Sequence, residues 1–334
     1  MPNHKEIAFR FNRDKSILPE KNFIKHKLRN LPLHDKYISF NSKKADTILN
    51  CGVNLWFALK EHTETKEQKI KLQNMYTCKD RFCPFCNWRR SLKYSKMIYN
   101  FIQQLQIKRK LRFIFLTLTV RNCDISDLRF TIKEMQKAFS NMTKTIKFKN
   151  SILGFLRVLE FTIQKDNADM THPHFHILLA VPPKYFATNE NLYLKKTDWS
   201  KMWQQSLKVD YEPVVDVRVI KPNKDKSAVS AVIAEISKYP LKDTDISRVE
   251  RFEELTKQLK GVRNINAGGI FKGALSKTAK IDDDLVHISD EEKPELWIIL
   301  EELLYRFENK EGKMNYYKVS HKKFSKEDKK EVGN

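Results

Sequence analysis

The chain has 334 residues, with 63 lysines and arginines against 41 aspartates and glutamates, and a formal net charge of +22. This length predicts two domains or one domain with appendages, and a hydrophobic content of 41% excludes a wholly disordered chain. No run of about 18 apolar residues and no apolar leader is present, so we expect a cytoplasmic protein without a membrane partner. The eight glycines form neither a phosphate-binding loop nor a dinucleotide fingerprint, which argues against an NTPase and a Rossmann enzyme. The positive charge predicts nucleic acid as the partner, because neutralising phosphates releases counterions.

The first 50 residues are basic and polar with weak periodicity, and they predict a flexible arm. After this arm, three of the five cysteines form a C-x4-C-x2-C cluster: Cys78, Cys83 and Cys86. An odd count in a cytosolic chain argues against disulfides, and this spacing predicts one structural Zn²⁺ site. The fourth ligand is predicted to be Cys51, with His62 and then Cys123 as alternatives. Buried thiols without a metal are the other interpretation.

Basic and aromatic side chains alternate directly after the cysteine cluster. A helix with this alternation can lie on phosphates and stack its aromatic rings on bases. A solvated basic face is the alternative interpretation. The candidate DNA contacts are Arg81, Trp88, Arg89, Arg90 and Lys93, together with Arg157 further along the chain.

The middle of the chain predicts alternating strands and helices. Strands are expected at 113–120, 153–163, 174–181 and 213–220, and helices at 128–146, 198–207 and 227–239. This order predicts an α+β fold with a ferredoxin-like or RRM-like antiparallel sheet and helices on one face. An amphipathic pattern at 294–307 predicts a helix in a C-terminal extension. The expected domains are a basic arm (1–50), a small zinc-binding module (51–105), the sheet domain (106–245) and the helical extension with a basic tail (246–334).

Three histidines alternate along the third predicted strand: His172, His174 and His176. Alternate residues of a strand share one face, and two such imidazoles can hold one divalent ion. Glu160 lies in an otherwise apolar strand, and a hairpin would pair it with His174 or His176. Glu160 is therefore the predicted third ligand. A polar strand face with satisfied histidines, and an ion pair of Glu160 with a basic neighbour, are the alternatives.

One tyrosine follows at the end of the last predicted helix of this region. Glu235 and Tyr239 are four residues apart and share a helix face. Val232 shares the same face, so a core position for Tyr239 is the alternative.

Three motifs occur in an order that resembles the HUH endonucleases, and among them the single-tyrosine initiators of rolling-circle plasmid replication in Gram-positive bacteria. The motifs are Phe115-Leu116-Thr117-Leu118-Thr119-Val120, His172-Pro173-His174-Phe175-His176 and Glu235-Ile236-Ser237-Lys238-Tyr239-Pro240-Leu241-Lys242. The cysteine segment 78–90 also resembles one that these initiators carry. The resemblance covers about residues 51–245.

The resemblance implies an enzyme that nicks and joins DNA at a specific site. His174, His176 and Glu160 would hold Mg²⁺ or Mn²⁺, and Tyr239 would attack the phosphate to leave a 5′-phosphotyrosine and a 3′-OH primer. Glu235 would activate water in the terminating cleavage. Lys242 occupies the family's lysine position, and Lys238 is the second candidate for that phosphate contact.

The resemblance also implies partners. These are the plasmid double-strand origin, single-stranded at the nick, and a host superfamily 1 helicase with the replication machinery. A homo-oligomer is left open. Two other functions fit parts of the pattern: a histidine-triad nucleotide hydrolase with His174 or His176 as nucleophile, and a zinc-finger DNA-binding regulator without catalysis.

Overall fold

The structure, a computed structural model, describes residues 21–220, 243–274, 278–288 and 294–324. The chain divides into two compact units. We call Tyr94–Ala279 the central unit, and Pro2–Lys93 together with Lys280–Asn334 the terminal unit. The helix predicted at 227–239 lies outside the described residues. None of the described helices is both long and apolar enough to span a membrane.

The described helices and strands alternate along most of the chain. In chain order they are α1 (Lys21–Leu28), α2 (Asn30–Ile38), α3 (Ser42–Asn50), β1 (Asn54–His62), β2 (Gln68–Met75), α4 (Pro84–Lys108), β3 (Arg112–Thr119), β4 (Cys123–Asp124), α5 (Leu128–Met142), α6 (Ile146–Ser151), β5 (Gly154–Ile163), β6 (Met170–Val181), α7 (Lys196–Leu207), β7 (Val215–Val219), α8 (Asp243–Arg248), α9 (Phe252–Leu259), β8 (Ile265–Gly269), β9 (Trp297–Lys310) and β10 (Lys313–Lys323). Short 3-10 helices cover Ile125–Asp127, Pro183–Phe186, Thr278–Asp283 and Pro294–Leu296.

The central unit is built on an antiparallel sheet with the strand order β7-β3-β6-β5-β8, and β4 pairs with β6. The predicted order strand, helix, strand, strand, helix, strand is confirmed from β3 to β7. The predicted first helix ends at Met142, and α6 follows it as a separate short helix. The expected antiparallel sheet is therefore present.

Helices pack on both faces of this sheet: α5 and α7, the helices predicted inside the sheet domain, share one face, and α4 covers the other. On one face, Phe139 of α5 contacts Phe155 and Phe175, with ring centroids 4.9 and 6.0 Å apart. On the other face, Ile98 and Ile102 of α4 join a buried cluster with β3, β5 and β6. Most of α4 lies in the range 51–105 that the sequence assigns to the zinc-binding module, and a sequence pattern does not show which sheet a helix covers.

The terminal unit contains a second antiparallel sheet, with the strand order β10-β9-β1-β2. Helices α1 to α3 precede it, so the described part of the expected flexible arm is folded. Phe23 of α1 is 1% exposed and contacts the rings of Phe57, Phe85 and Trp88. Phe23 thus anchors a segment whose overall composition is polar.

The helix predicted at 294–307 is wrong, because this segment is strand β9 from Trp297 onward. Leu303, Tyr305 and Phe307 are buried at alternate positions, which is the period of a strand. A turn at Glu311-Gly312 joins β9 to β10, and both residues have positive φ, 52° and 77°. Two positive φ angles are typical of the tight turn that matches strand twist. Residues 297–323 therefore complete the N-terminal sheet and do not form a helical extension.

Candidate metal centres

The first candidate centre lies on paired strands of the central unit. β5 and β6 form a hairpin in which Glu160 is opposite His174, the pairing predicted from the sequence. His176 follows two residues later in β6, so its side chain shares the face of His174. One carboxylate and two imidazoles thus meet on one face of a buried sheet.

The ligand atoms of these three residues converge. Glu160 Oε2 lies 2.9 Å from His176 Nε2 and 3.7 Å from His174 Nε2. All three ligand atoms lie within 4.8 Å of one another. Two imidazole nitrogens and a carboxylate oxygen form a donor set suited to a divalent transition-metal ion.

Hydrogen bonds behind the two rings orient them. His174 Nδ1 lies 3.1 Å from the carbonyl oxygen of His172, which only accepts, so Nδ1 donates to it. Nε2 is the ring nitrogen that faces the Glu160 carboxylate, so a cation held between the two groups would bind His174 through Nε2. His176 Nδ1 lies 3.2 Å from Thr117 Oγ1, and the His176 ring stacks on Phe115. Such contacts to the second nitrogen are usual for metal-binding histidines, so the site fits the predicted ion.

The Glu160 carboxyl is 7% exposed. Burial raises its pKa, but hydrogen bonds from His174 and His176 outweigh this effect and hold the pKa at about 2. The carboxylate is therefore ionised at neutral pH and adds a negative charge to the candidate centre.

His172 does not belong to the cluster, although it shares the strand face. Its Nδ1 lies 2.7 Å from Asn122 Oδ1. Burial lowers the pKa of His172, and the nearby charge of His174 lowers it further. Thr117 occurs in the strand motif 115–120, but the sequence analysis did not predict its contact with His176. Its position opposite His176 in the paired strands explains that contact.

The second candidate centre is the cysteine cluster of the terminal unit. The Sγ atom of Cys86 lies 3.4 Å from that of Cys51 and 3.7 Å from that of Cys78, and Cys83 Sγ lies 3.7 Å from Cys51 Sγ. A zinc–sulfur bond of 2.3 Å puts the sulfurs of a tetrahedral site roughly 3.8 Å apart. The four free thiols therefore fit one tetrahedral ion, and Cys51 completes the set.

The alternatives for the fourth ligand are used elsewhere. His62 Nδ1 accepts hydrogen bonds from the backbone of Glu64 and Thr65, and Cys123 contacts Thr171. Neither residue belongs to the cysteine cluster.

Local structure holds the four thiols in place. Cys51 caps the C-terminus of α3, and Gly52 follows it with a φ of 66° and its Cα against the Phe85 ring. Any side chain at Gly52 would strike that ring. Cys83 and Cys86 flank the start of α4, where backbone N–H groups favour thiolates, and the amide of Cys86 donates to Cys83 Sγ. Burial raises the pKa of the Cys83 thiol, which a bound cation would reverse.

The chain also matches known proteins along most of its length. Residues 69–317 match the family Rep_1, which is described as a replication protein. The chain belongs to the Rep_1 replication protein family. This membership confirms the resemblance to plasmid replication initiators of Gram-positive bacteria, and an initiator binds origin DNA.

Several relatives of this Rep_1 protein carry the name Protein rep. The one from Lentilactobacillus hilgardii is 32% identical over 309 residues, which cover 89% of this chain and 95% of the relative. The one from Streptococcus pneumoniae is 33% identical over 295 residues, covering 84% and 89%. The one from Lactiplantibacillus plantarum is 35% identical over 281 residues, covering 80% and 86%. No solved structure gives a significant match.

Four of the six residues that were predicted to contact DNA have partners within the protein. Trp88 is 7% exposed and stacks on His26, and Arg89 is 2% exposed and donates to the carbonyls of Leu285 and Val286. Ion pairs engage the other two: Arg90 pairs with Asp282 at 2.5 Å, and Lys93 pairs with Asp284 at 3.2 Å. Burial argues against Trp88 and Arg89 as DNA contacts, whereas Arg90 and Lys93 are partly exposed and stay predictions.

In this Rep_1 protein, packing within the terminal unit accounts for Trp88 and Arg89 of the alternating segment. The contact of Arg81 with DNA stays a prediction. So does that of Arg157, which is buried in the central unit. The predicted tyrosine site, with Glu235, Lys238, Tyr239 and Lys242, lies outside the described residues.

Proposed function

We propose that this initiator is an HUH endonuclease that nicks one strand of its plasmid origin, with Tyr239 as the nucleophile. The convergence of His174, His176 and Glu160 on one sheet face carries this proposal. The strand order β7-β3-β6-β5 and the alternation of strands and helices support a ferredoxin-like HUH fold for the central unit.

The proposed cleavage is a transesterification. Tyr239 Oη attacks phosphorus as the phenol loses its proton, and the bond from phosphorus to the 3′ oxygen breaks. That oxygen takes up a proton and becomes the 3′-OH primer, while the 5′ phosphate stays on the tyrosine. A tyrosine pKa near 10 makes the phenol a poor nucleophile at neutral pH, so the phosphate must be activated.

Other residues of the chain support this step. Glu160, His174 and His176 would hold Mg²⁺ or Mn²⁺, which polarises the scissile phosphate when bound. Lys238 or Lys242 contacts the phosphate, and Glu235 takes a proton from water in the terminating cleavage. The covalent bond conserves the phosphoester energy, so a host superfamily 1 helicase and the replication machinery supply unwinding and synthesis.

The decisive experiment is the capture of the covalent intermediate. Labelled oligonucleotides tiling the candidate origin are incubated with the protein and Mn²⁺, and adducts are resolved under denaturing conditions. Wild type and Tyr193→Phe, which changes a half-exposed tyrosine of the central unit, should both form an adduct. Tyr239→Phe and wild type in EDTA should not. An adduct with Tyr239→Phe overturns the assignment, and cleavage that EDTA leaves intact favours the histidine-triad hydrolase.

We also propose that the cysteine cluster binds one structural Zn²⁺. Elemental analysis of purified protein should give one zinc per chain that is lost in Cys51→Ser and in Cys78→Ser. Cys123→Ser is the matched control, because Cys123 lies outside the cluster. A zinc content that does not differ between Cys78→Ser and Cys123→Ser would contradict the proposal.

A further inference from the structure

A cavity of 430 Å³ lies in the central unit between α5, β5 and the segment 261–266. Its volume is within the range of about 300–1,000 Å³ that small-molecule sites occupy. Four cationic side chains line it: Arg129, Lys133, Arg157 and Arg263. None of its lining residues, all of them in the described part of the chain, carries a carboxylate. The cavity is therefore suited to an anion.

Arg157 is the most unusual of these residues. It is 6% exposed, and its guanidinium carbon lies 4.3 Å from the Phe175 ring centroid and 4.9 Å from that of Phe139. Among the described residues, no hydrogen-bond acceptor or carboxylate pairs with this guanidinium. A buried charge without a partner is costly, and contacts with aromatic faces offset only part of the cost. Arg157 thus presents an unsatisfied cation to the cavity.

The protonation state of Arg157 agrees with an anion site. Burial lowers the pKa of Arg157 to about 10. The side chain therefore stays charged at neutral pH, and an anion beside it would restore the interactions that burial removed.

The other cationic residues are arranged around the same space. Lys133 lies one helical turn after Arg129 on α5, so both side chains share a helix face. Arg129 donates to the carbonyls of Lys257 and Lys260 at 2.8 and 2.5 Å, which fixes the segment that precedes Arg263. Arg263 and Lys133 are exposed and free to close on a ligand.

This cavity is separate from the candidate metal centre. Arg157 and Glu160 are three residues apart in β5, so their side chains point to opposite faces of the sheet. Phe175, which contacts Arg157, lies between His174 and His176 in β6 and also points away from the cluster.

We propose that this cavity binds the phosphate group of a nucleotide, with Arg157 as the central contact. A planar guanidinium can donate two parallel hydrogen bonds to phosphate oxygens, and the surrounding positive charge excludes cations. The remaining volume accommodates the sugar and base. Such a phosphate belongs either to a free nucleotide or to a nucleotide within single-stranded DNA. The inference does not depend on the proposed nicking reaction.

Calorimetric titration of the full chain, without added divalent ions, tests the proposal. The probes are inorganic phosphate, thymidine monophosphate and a short oligothymidylate. We expect wild type and Lys149→Gln, an exposed change outside the cavity, to bind at least one probe equally well. Arg157→Met keeps the length and packing of the side chain without its charge, and should weaken binding at least tenfold. Lys133→Gln should weaken binding to a smaller extent.

The outcomes separate the sources of the phosphate and can overturn the site. Preference for the mononucleotide over the oligonucleotide identifies a free nucleotide, and the reverse identifies a DNA strand. Arg157→Met should unfold at the same or a higher temperature than wild type without ligand, because it removes an unpaired buried charge. Binding that Arg157→Met and Lys133→Gln leave unchanged, or no binding to wild type at millimolar probe, overturns the proposal. A positive result in Tyr239→Phe would show that the site is independent of nicking.

Discussion

His172 and His176 share one face of β6, but their neighbours differ. His176 contacts Glu160 and Thr117, whereas His172 is held by Asn122. We expect His176→Ala to reduce Mn²⁺ affinity by about 100-fold or more, because loss of even an indirect contact to a metal ligand costs about 10–100-fold. His172→Ala should stay within about tenfold of wild type. Titration of Mn²⁺ followed by electron paramagnetic resonance checks this, and equal losses in both variants would contradict the assigned ligands.

Arg89 shows how a basic residue that suggests DNA binding can act inside the protein. Its guanidinium donates to two main-chain carbonyls, those of Leu285 and Val286. Arg89→Ala leaves both carbonyls without a donor, and we expect it to lower the free energy of unfolding by about 2–4 kcal/mol. Urea denaturation measures the loss.

The DNA affinity of the remaining folded Arg89→Ala protein should equal that of wild type. Lys43→Ala is the control for a lost positive charge, because Lys43 is exposed on the same unit. A variant of normal stability with weak DNA binding would restore Arg89 as a DNA contact.

At the residue level, local patterns in the sequence predicted those site residues that lie close together in the chain. The alternation in β6 predicted the shared face of His174 and His176, and one acid in an apolar strand pointed to Glu160. The partners of Arg89 are almost 200 residues away in the chain, and no local pattern reports such a contact. Basic residues in a row look alike in sequence, whether they face phosphates or carbonyl groups.

Among the elements, α1 is held to the terminal unit by a stacked pair. The His26 ring lies on the Trp88 indole, with centroids 4.9 Å apart and planes 10° from parallel, and His26 Nδ1 is buried without a partner among the described residues. Burial lowers the pKa of His26 to about 4, and the positive charges of Arg29 and Lys25 add to this effect. The folded protein therefore keeps this imidazole neutral.

This pKa predicts how stability depends on pH. The unfolded chain takes up the proton near pH 6.5, and the folded chain only near pH 4. The contribution of His26 is therefore fully present above about pH 6.5 and falls by up to about 3 kcal/mol as the pH drops to about 4. His26→Phe keeps a stacking ring without a titrating nitrogen, so its stability should decline less with acid than that of wild type.

Urea midpoints at about pH 7 and about pH 4.5 give the test of His26. Zinc release on acidification affects both proteins, so the difference between wild type and His26→Phe is the relevant quantity. His34→Phe, which changes a histidine beside Asp35 at the surface, should decline as wild type does. Parallel curves for wild type and His26→Phe would contradict the buried neutral imidazole.

The elements differ in how well local patterns specify them. The elements from β3 to β7 follow clear apolar periods, and their order was predicted. In β9 the apolar residues Trp297, Ile298, Ile299 and Leu300 precede Leu303 and Leu304, which also satisfies a helical period. The segment forms a strand because it pairs with β1 on one side and with β10 on the other, and this pairing is a tertiary effect.

For the whole molecule, the two ends of the chain build one unit. β1 pairs with β9, so Asn54 is opposite Arg306, about 250 residues later. A pairing this distant leaves no trace in local periodicity, and for this reason the sequence suggested a separate C-terminal extension. The charge of +22, in contrast, is a property of the whole sequence, and it correctly pointed to the DNA partner of a replication initiator.

This arrangement predicts that the C-terminal strands support the cysteine cluster. Tyr316 of β10 donates to the carbonyl of Gly52, the residue after Cys51, and Tyr305 of β9 packs on Phe57 with ring centroids 6.0 Å apart. A chain ending at residue 296 lacks both contacts and exposes the edge of β1. We expect it to lose most of its bound zinc and the cooperative unfolding of the terminal unit, because the open edge and uncovered rings destabilise the sheet.

A chain ending at residue 324 keeps every residue of β9 and β10, and its zinc content and melting temperature should match those of the full chain. Elemental analysis and thermal denaturation of the two truncated chains test whether the C-terminal strands support the cysteine cluster. Full zinc content in the chain ending at residue 296 would show that α1 to α3 and the first hairpin hold the cluster without those strands.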